Sequence, residues 1–134
     1  MTTVLANGCF DVLHAGHLAH LKEARRMGDT LVVALTLDAY VNKGQGRPIN
    51  TWEDRAELLR ELRCVDRVIP TTSAVAAILY LRPSIFVKGV DYAGGLRFTE
   101  DVEGACKGAG AVLRYTTAPK QSAADIIRRS LEVA

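Results

Sequence analysis

Short, unbroken apolar runs alternate along this chain with stretches in which apolar side chains recur every three or four positions. Val4, Leu5 and Ala6 form the first run, inside a short buried strand over Thr2 to Ala6. After His17 the apolar positions fall at Leu18, Leu21, Ala24 and Met27. Lys22, Arg25 and Arg26 lie off that stripe and Gly28 is a natural stop, so the stretch reads as an amphipathic helix. Leu31 to Leu35 is continuously apolar, as central parallel strands are. Asp38 to Asn50 carries Gly44, Gly46 and Pro48 and reads as a loop. Thr51 opens a second helix with its stripe at Trp52, Ala56, Leu59 and Leu62, Leu58 lying beside it; Asp54 completes a variant capping box. Val65 to Pro70 predicts a third strand, and Ser73 to Leu81 a strongly apolar third helix ended by Pro83. Ile85 to Lys88 follows as a strand ended by Gly89. A loop through Asp91, Tyr92, Gly94 and Gly95 leads to a helix over roughly Thr99 to Ala109 and a fifth strand over Ala111 to Tyr115. A last helix, capped by Ser122, carries Ile126, Ile127 and Leu131.

Strands alternating with helices, without internal repeats, predict an α/β fold. It is a Rossmann-like, five-stranded parallel sheet with helices on both faces and right-handed crossovers. Ligands of such sheets bind beyond the carboxyl ends of the strands. The segment after the first strand, the Lys43 loop, the Lys88-Gly89 turn and the turn from Thr117 to Ser122 all follow strands, and so gather at that edge.

The 134 residues are expected to form one domain, residues 1–134. With 17 basic against 15 acidic residues the net charge is only +2, so neither nucleic acid nor an anionic membrane is an expected partner. Cys9, Cys64 and Cys106 are odd in number and widely spaced, which supports neither a disulfide framework nor a zinc knuckle; Cys9 reads as an inert small residue. The expected setting is the cytoplasm, since no charged leader and hydrophobic segment precede the first strand and the apolar runs are too short to span a bilayer.

The richest chemistry lies between Gly8 and His17. A strand running through a Gly8 turn into a helix leaves backbone N–H groups where an anion can sit. His14 and His17, three residues apart at the helix start, point the same way, and Gly16 between them leaves the backbone open to a phosphate. Two imidazoles so placed can donate hydrogen bonds to charge developing during phosphoryl chemistry. The bland alternative is a pair of helix-start histidines.

Gly8, Phe10, Asp11, His14, Gly16 and His17 together, as G-x-F-D-x-x-H-x-G-H, resemble the signature of the cytidylyltransferase-like nucleotidyltransferases. That superfamily, with its HUP-type fold, includes glycerol-3-phosphate cytidylyltransferases and the adenylyltransferases that make ADP-heptose. The resemblance implies a nucleotide site on Gly8, Phe10 and Gly16, with His14 and His17 catalytic. Lys43, in a Gly-rich loop, matches a family lysine that reaches the phosphates and is expected among the catalytic residues, and Arg47 of the same loop is expected at the substrate; from the residues alone, a solvated basic loop stays open. Arg55 lies on or beside the apolar stripe of the second helix, where a guanidinium needs an anion. The resemblance makes that anion a nucleotide phosphate; a structural ion pair is the alternative. Lys88, Gly89 and Asp91 belong to a V-K-G-x-D-Y stretch similar to that of the heptose enzymes, with Lys88 reaching either nucleotide or sugar phosphate, or simply water. Asp11 can accept from a substrate hydroxyl or brace its own turn.

The last helix departs from the family pattern. Ser122 is kept as a cap that could hold phosphate, but Ala123 and Ala124 stand where the family shows threonines. The resemblance implies transfer of a nucleotidyl group from ATP to a sugar 1-phosphate, with Mg²⁺ and release of pyrophosphate. Arg47-Pro48-Ile49-Asn50 and the V-K-G-x-D-Y stretch favour ATP. A CTP-dependent polyol-phosphate enzyme and a non-catalytic nucleotide-binding module are the alternatives. An aminoacyl-tRNA synthetase fragment lacks the length and a K-M-S-K-S loop. Relatives are often dimers, so a homodimer is expected, and Val75, Ala76, Ile78 and Leu79 of the third helix belong either to core or to interface.

Overall fold

A computed structural model describes residues 1–89, 101–118 and 123–133 of the chain. Within them, five strands form one parallel sheet: β1 (Thr3–Gly8), β2 (Thr30–Thr36), β3 (Arg67–Thr71), β4 (Ile85–Lys88) and β5 (Val112–Tyr115). Five α-helices accompany them: α1 (Ala15–Arg25), α2 (Trp52–Arg60), α3 (Ala74–Leu81), α4 (Val102–Ala109) and α5 (Ala123–Val133). The spatial order is β3-β2-β1-β4-β5. The winding reverses between β1 and β4, and the crevice for a ligand opens at such a reversal.

The two sheet faces follow from the period-two alternation of side chains. Val4 and Ala6 of β1 join Leu31, Val33, Leu35 and Val87 under Leu21 and Ala24 of α1 and Ala56 and Leu59 of α2. Leu5, Val32, Ala34, Ile69 and Phe86 face the other way, against Ala74, Ala77 and Ile78 of α3 and Val102, Ala105, Cys106 and Ala109 of α4. Each large apolar side chain so buried stabilises the fold by about 1.5–3 kcal/mol. Register aligns the carboxyl ends: Gly8 lies opposite Leu35, Thr36 opposite Thr71, and Lys88 opposite Tyr115. At the other edge Gly28 lets α1 return closely onto β1. A Cβ there would meet Val4 Cγ2 at 2.8 Å and the Thr2 carbonyl oxygen at 2.9 Å.

Several boundaries differ from expectation. β1 extends to Gly8, and β3 begins at Arg67, with Val65 buried just before it. α1 begins at Ala15 because His14 is its N-cap. Histidine is an unusual cap, so the pattern of apolar residues could not place the start there. A short 3₁₀ turn, Asp38–Tyr40, interrupts the predicted loop. Thr51 caps α2 by accepting from the Asp54 amide, as expected. α3 gives Ala74, Ala77 and Ile78 to the core and leaves Leu79 and Tyr80 exposed. In α5, Ile127 and Leu131 are also exposed. No helix among the described residues is long and apolar enough to cross a membrane.

Candidate functional site

The chain leaves β1 at Gly8 and turns sharply before α1. At Gly8 a Cβ would lie 2.8 Å from Phe10 Cε2, so a side chain there would displace that ring. Phe10 (φ 45°) and Val12 (φ 62°) both adopt left-handed backbone conformations. For non-glycine residues, and for β-branched Val12 above all, this costs about 1–3 kcal/mol each. The surrounding contacts must over-determine the loop for it to persist.

Asp11 and Arg55 supply those contacts. The Asp11 carboxylate is buried and accepts from Arg47 Nε (2.8 Å), the Ile49 amide (2.7 Å) and the Asn50 amide (3.0 Å). Burial pushes its pKa up, but the hydrogen bonds from Asn50, Ile49 and Arg47 outweigh it and hold the carboxyl below its ordinary value. Arg55 is 1% exposed; its Nη2 pairs with Asp38 Oδ1 at 2.6 Å, Nη1 donates to the Cys9 carbonyl at 2.8 Å and Nε to the Asn50 carbonyl at 3.1 Å. These two residues tie the signature loop to both ends of the Lys43 loop. At each residue the geometry shows the structural one of the two alternatives the sequence left open. The anion at Arg55 is Asp38, and the side chain is sealed from a nucleotide phosphate. Asp11 braces the Arg47–Asn50 segment, so its oxygens are occupied and not offered to a substrate hydroxyl. Arg47, expected at the substrate, spends its Nε on Asp11.

Over this frame stand the two imidazoles. The Gly16 amide donates to His14 Nδ1 (3.1 Å) and the His14 amide donates to His17 Nδ1 (3.3 Å), a reciprocal capping box. The rings stack with centroids 3.8 Å apart, and Phe10 meets His17 edge-on at 5.2 Å. A ring nitrogen that accepts from an amide carries no hydrogen, so in each neutral ring the proton sits on Nε2. His14 Nε2 is buried and without a hydrogen-bond partner among the described residues. An orphaned buried donor is costly and calls for an acceptor. Burial lowers the pKa of His14. Burial, then the charges of His14, Lys43 and His20, lower that of His17 to about 4. Both rings are neutral donors near pH 7, and Lys43 is near enough to act on His17 through its charge.

A family model described as Cytidylyltransferase-like matches residues 5–129. The chain belongs to that family. It is 50% identical over 97 residues to the bifunctional protein HldE of Streptomyces coelicolor, covering 69% of this chain and 21% of that protein. With HldE of Chromohalobacter salexigens the identity is 45% over 117 residues, 83% of this chain and 24% of the relative. The chain thus spans only about a quarter or less of the curated relatives it matches. A lipopolysaccharide core biosynthesis protein from Thermoplasma volcanium superposes with a TM-score of 0.72 at 30% identity, covering 91% of this chain and 99% of that one. Pantothenate synthetase from Thermus thermophilus, at 16% identity and a TM-score of 0.63 over 90% of this chain and 57% of its own, shares the fold.

In this cytidylyltransferase-like domain the signature therefore sits at the β1/β4 reversal, with Lys88 and Gly89 across the crevice at the end of β4. Lys88 Nζ donates to the Asn7 carbonyl at 3.2 Å and lies 5.9 Å from the Phe86 ring centroid. Gly89 would have open space around a Cβ, so close packing does not demand glycine there. Lys43 is exposed, between Gly44 (φ 95°) and the Asp38–Tyr40 turn, and Gly46 (φ 81°) follows. Asp91 and Ser122 lie outside the described residues. Among the described residues no three His, Cys, Asp or Glu side chains are grouped to hold a metal ion, and Asp11 in the signature is already occupied.

Two residues of this region escaped the sequence reading. His20 Nδ1 is 2.6 Å from Thr116 Oγ1. Glu23 accepts from the Thr117 amide (2.8 and 3.0 Å), the Thr117 hydroxyl (3.1 Å) and the Ala118 amide (3.2 Å). Both follow His17 at three-residue spacing on α1, and that repeat was the available signal.

Proposed function

We propose that this domain is a nucleotidyltransferase that joins a nucleoside triphosphate to a small phosphorylated acceptor and releases pyrophosphate. The observation that carries the reading is the buried His14 Nε2, unpartnered among the described residues, whose proton is fixed there by the cap at Nδ1. A donor held dry and neutral at a helix start, beside the equally neutral His17, suits a nonbridging phosphate oxygen as it gains charge. An acceptor phosphate oxygen forms the new bond to the α-phosphorus, the bond to the bridging α–β oxygen breaks, and its electron pair leaves with pyrophosphate. A phosphate monoester is already anionic, so the step needs no protein nucleophile or base. His14 and His17 donate to the transferring phosphoryl oxygens, while Lys43 on its glycine-flanked loop, Lys88 and the α1 N-terminus add positive potential.

Magnesium would supply neutralisation of the triphosphate charge. The donor set at the signature is nitrogen-rich and its carboxylate engaged, which suits a cation carried in by the nucleotide's own phosphates and water.

The favoured pair is ATP with a sugar 1-phosphate of the heptose kind, supported by the HldE relatives and by the Arg47–Asn50 and Val87–Lys88–Gly89 stretches. Purified protein should be offered each nucleoside triphosphate with sugar 1-phosphates and polyol phosphates in the presence of Mg²⁺, following pyrophosphate. ATP with a heptose 1-phosphate should turn over fastest. A preference for CTP with glycerol 3-phosphate would replace this assignment by the polyol-phosphate one. Nucleotide binding without pyrophosphate from any pair would make the domain a non-catalytic binder.

A further inference from the structure

The helix that begins with the capping histidines continues, one and two turns on, into a clamp on the far side of the crevice. Thr116, 1% exposed, lies at the exit of β5, where its amide donates to the Lys88 carbonyl at 2.9 Å and its hydroxyl meets His20. The next two residues give both amides and one hydroxyl to the Glu23 carboxylate. The side-chain hydrogen bonds described for Thr116–Ala118 all come from α1. Beyond them α5 is largely exposed, with Ile126 its one half-buried side chain among those described. Lys88 is near enough to His20 for its charge to act on that ring. One helix thus carries both the capping histidines that follow β1 and the side chains that hold the exit of β5.

We propose that Glu23, seconded by His20, is a positioning residue for the nucleotidyl transfer argued above: it holds the Thr116–Ala118 exit of β5 in register with the His14–His17 pair. The inference rests on that functional reading for the identity of the ligand. A nucleotide with its phosphates at the α1 N-terminus must lay its remaining length across the β4 and β5 exits, because those strands form the other side of the reversal. Fastening that exit to the same helix as the phosphate donors fixes the distance between the two ends of the ligand. Glu23 touches neither end, and acts through the backbone it holds.

The test compares wild type with Glu23→Ala, Glu23→Gln and His20→Ala. Affinities for Mg-ATP, Mg-CTP and inorganic tripolyphosphate are measured by calorimetry, with thermal midpoints and turnover alongside. Glu23→Ala should weaken the better-bound nucleotide by about ten- to a hundredfold, the scale of a misplaced ligand contact. It should leave tripolyphosphate, which needs only the α1 end, nearly unchanged. Glu23→Gln, which keeps one acceptor oxygen at the same reach, should recover part of the loss, and His20→Ala should fall between. Unchanged nucleotide affinity in Glu23→Ala overturns the proposal. So does an equal loss for nucleotide and tripolyphosphate, since that is the mark of a merely destabilised fold. A wild type that binds nucleotide but releases no pyrophosphate removes the transferase reading, while the affinity comparison still decides the role of Glu23. A wild type that binds no nucleotide overturns both.

Discussion

His14 and His17 are each other's cap and neighbour. The amide of the first donates to Nδ1 of the second, and their rings stack at 3.8 Å. One nitrogen of each ring closes the helix and the other carries the donor hydrogen, so the same side chains serve folding and chemistry. His17→Ala should lower kcat by ~10²–10³, about 2.7–4 kcal/mol of transition-state stabilisation. The lost cap should also lower stability by about 0.5–2 kcal/mol. His17→Asn can still accept from the His14 amide, and should recover stability without recovering turnover. Steady-state rates and urea unfolding separate the two effects. An Ala variant that keeps more than about a third of wild-type turnover would leave the ring as a cap and nothing more.

Arg55 should behave as a structural cross-brace. Its removal leaves the Cys9 and Asn50 carbonyls without their guanidinium donor and Asp38 without its cation. Breaking such a buried arrangement costs about 3–5 kcal/mol when the partner is buried too. Asp38 is 45% exposed and can be rehydrated, so Arg55→Ala should lie near or below the low end of that range. Denaturant unfolding of the ligand-free protein checks this. A stable variant with a specific defect in triphosphate affinity would return Arg55 to the nucleotide.

The fold was legible because its two periods, two in strands and 3.6 in helices, are written by the apolar residues that become the core. Val4 and Leu5 already declare opposite sheet faces, and the Leu21–Ala24 stripe declares which side of α1 is inward. The partners of Asp11 and Arg55 were not legible. Asp11 meets Arg47, Ile49 and Asn50 from 36 to 39 residues away, and Arg55 meets Cys9 46 residues and Asp38 17 residues away, brought together by how the strand ends align. The sequence showed that Arg55 needed an anion, but both a protein carboxylate and a phosphate satisfy that need equally. Ile127 and Leu131 mark the opposite limit: an amphipathic pattern names an apolar face but not what covers it.

Acid should weaken the fold in two separable windows. His17 has a folded pKa lowered to about 4 from an ordinary 6.5, so the unfolded chain takes up its proton first and stability falls as the pH drops from 6.5 to about 4. Asp11 is held below its ordinary 3.8, so its contribution is fully present above that value and is lost as the pH falls from 3.8 through the folded pKa. Urea midpoints measured from pH 7 to pH 2.5 should show both slopes. His17→Asn should reduce the first, leaving the share of His14 and His20, whose pKa values burial also lowers. Asp11→Asn should be less stable than wild type at pH 7 and should lose less on going below pH 3.8. An Asp11→Asn protein as stable as wild type at neutral pH would mean that the Arg47–Asn50 segment holds without it.

Lys43 should show the reverse of Arg55, a residue that matters to the reaction and hardly at all to the fold. It is exposed, and its loop carries glycines with positive φ at positions 44 and 46 and no close packing around either. Exposed substitutions away from caps and buried networks usually change stability by less than about 0.5 kcal/mol. Yet its charge reaches His17, so the ammonium lies near the imidazole donors. A cation on a loop free to close contributes most when phosphate charge is being redistributed and water is excluded. Lys43→Ala should therefore keep its unfolding midpoint and lose turnover by about ten- to a hundredfold, more in kcat than in nucleotide affinity. Lys43→Arg keeps the charge but changes its reach, and should lie between the two. Unfolding curves together with separate kcat and KM values decide it: equal turnover for wild type and Lys43→Ala would reduce the loop to a solvated basic strap.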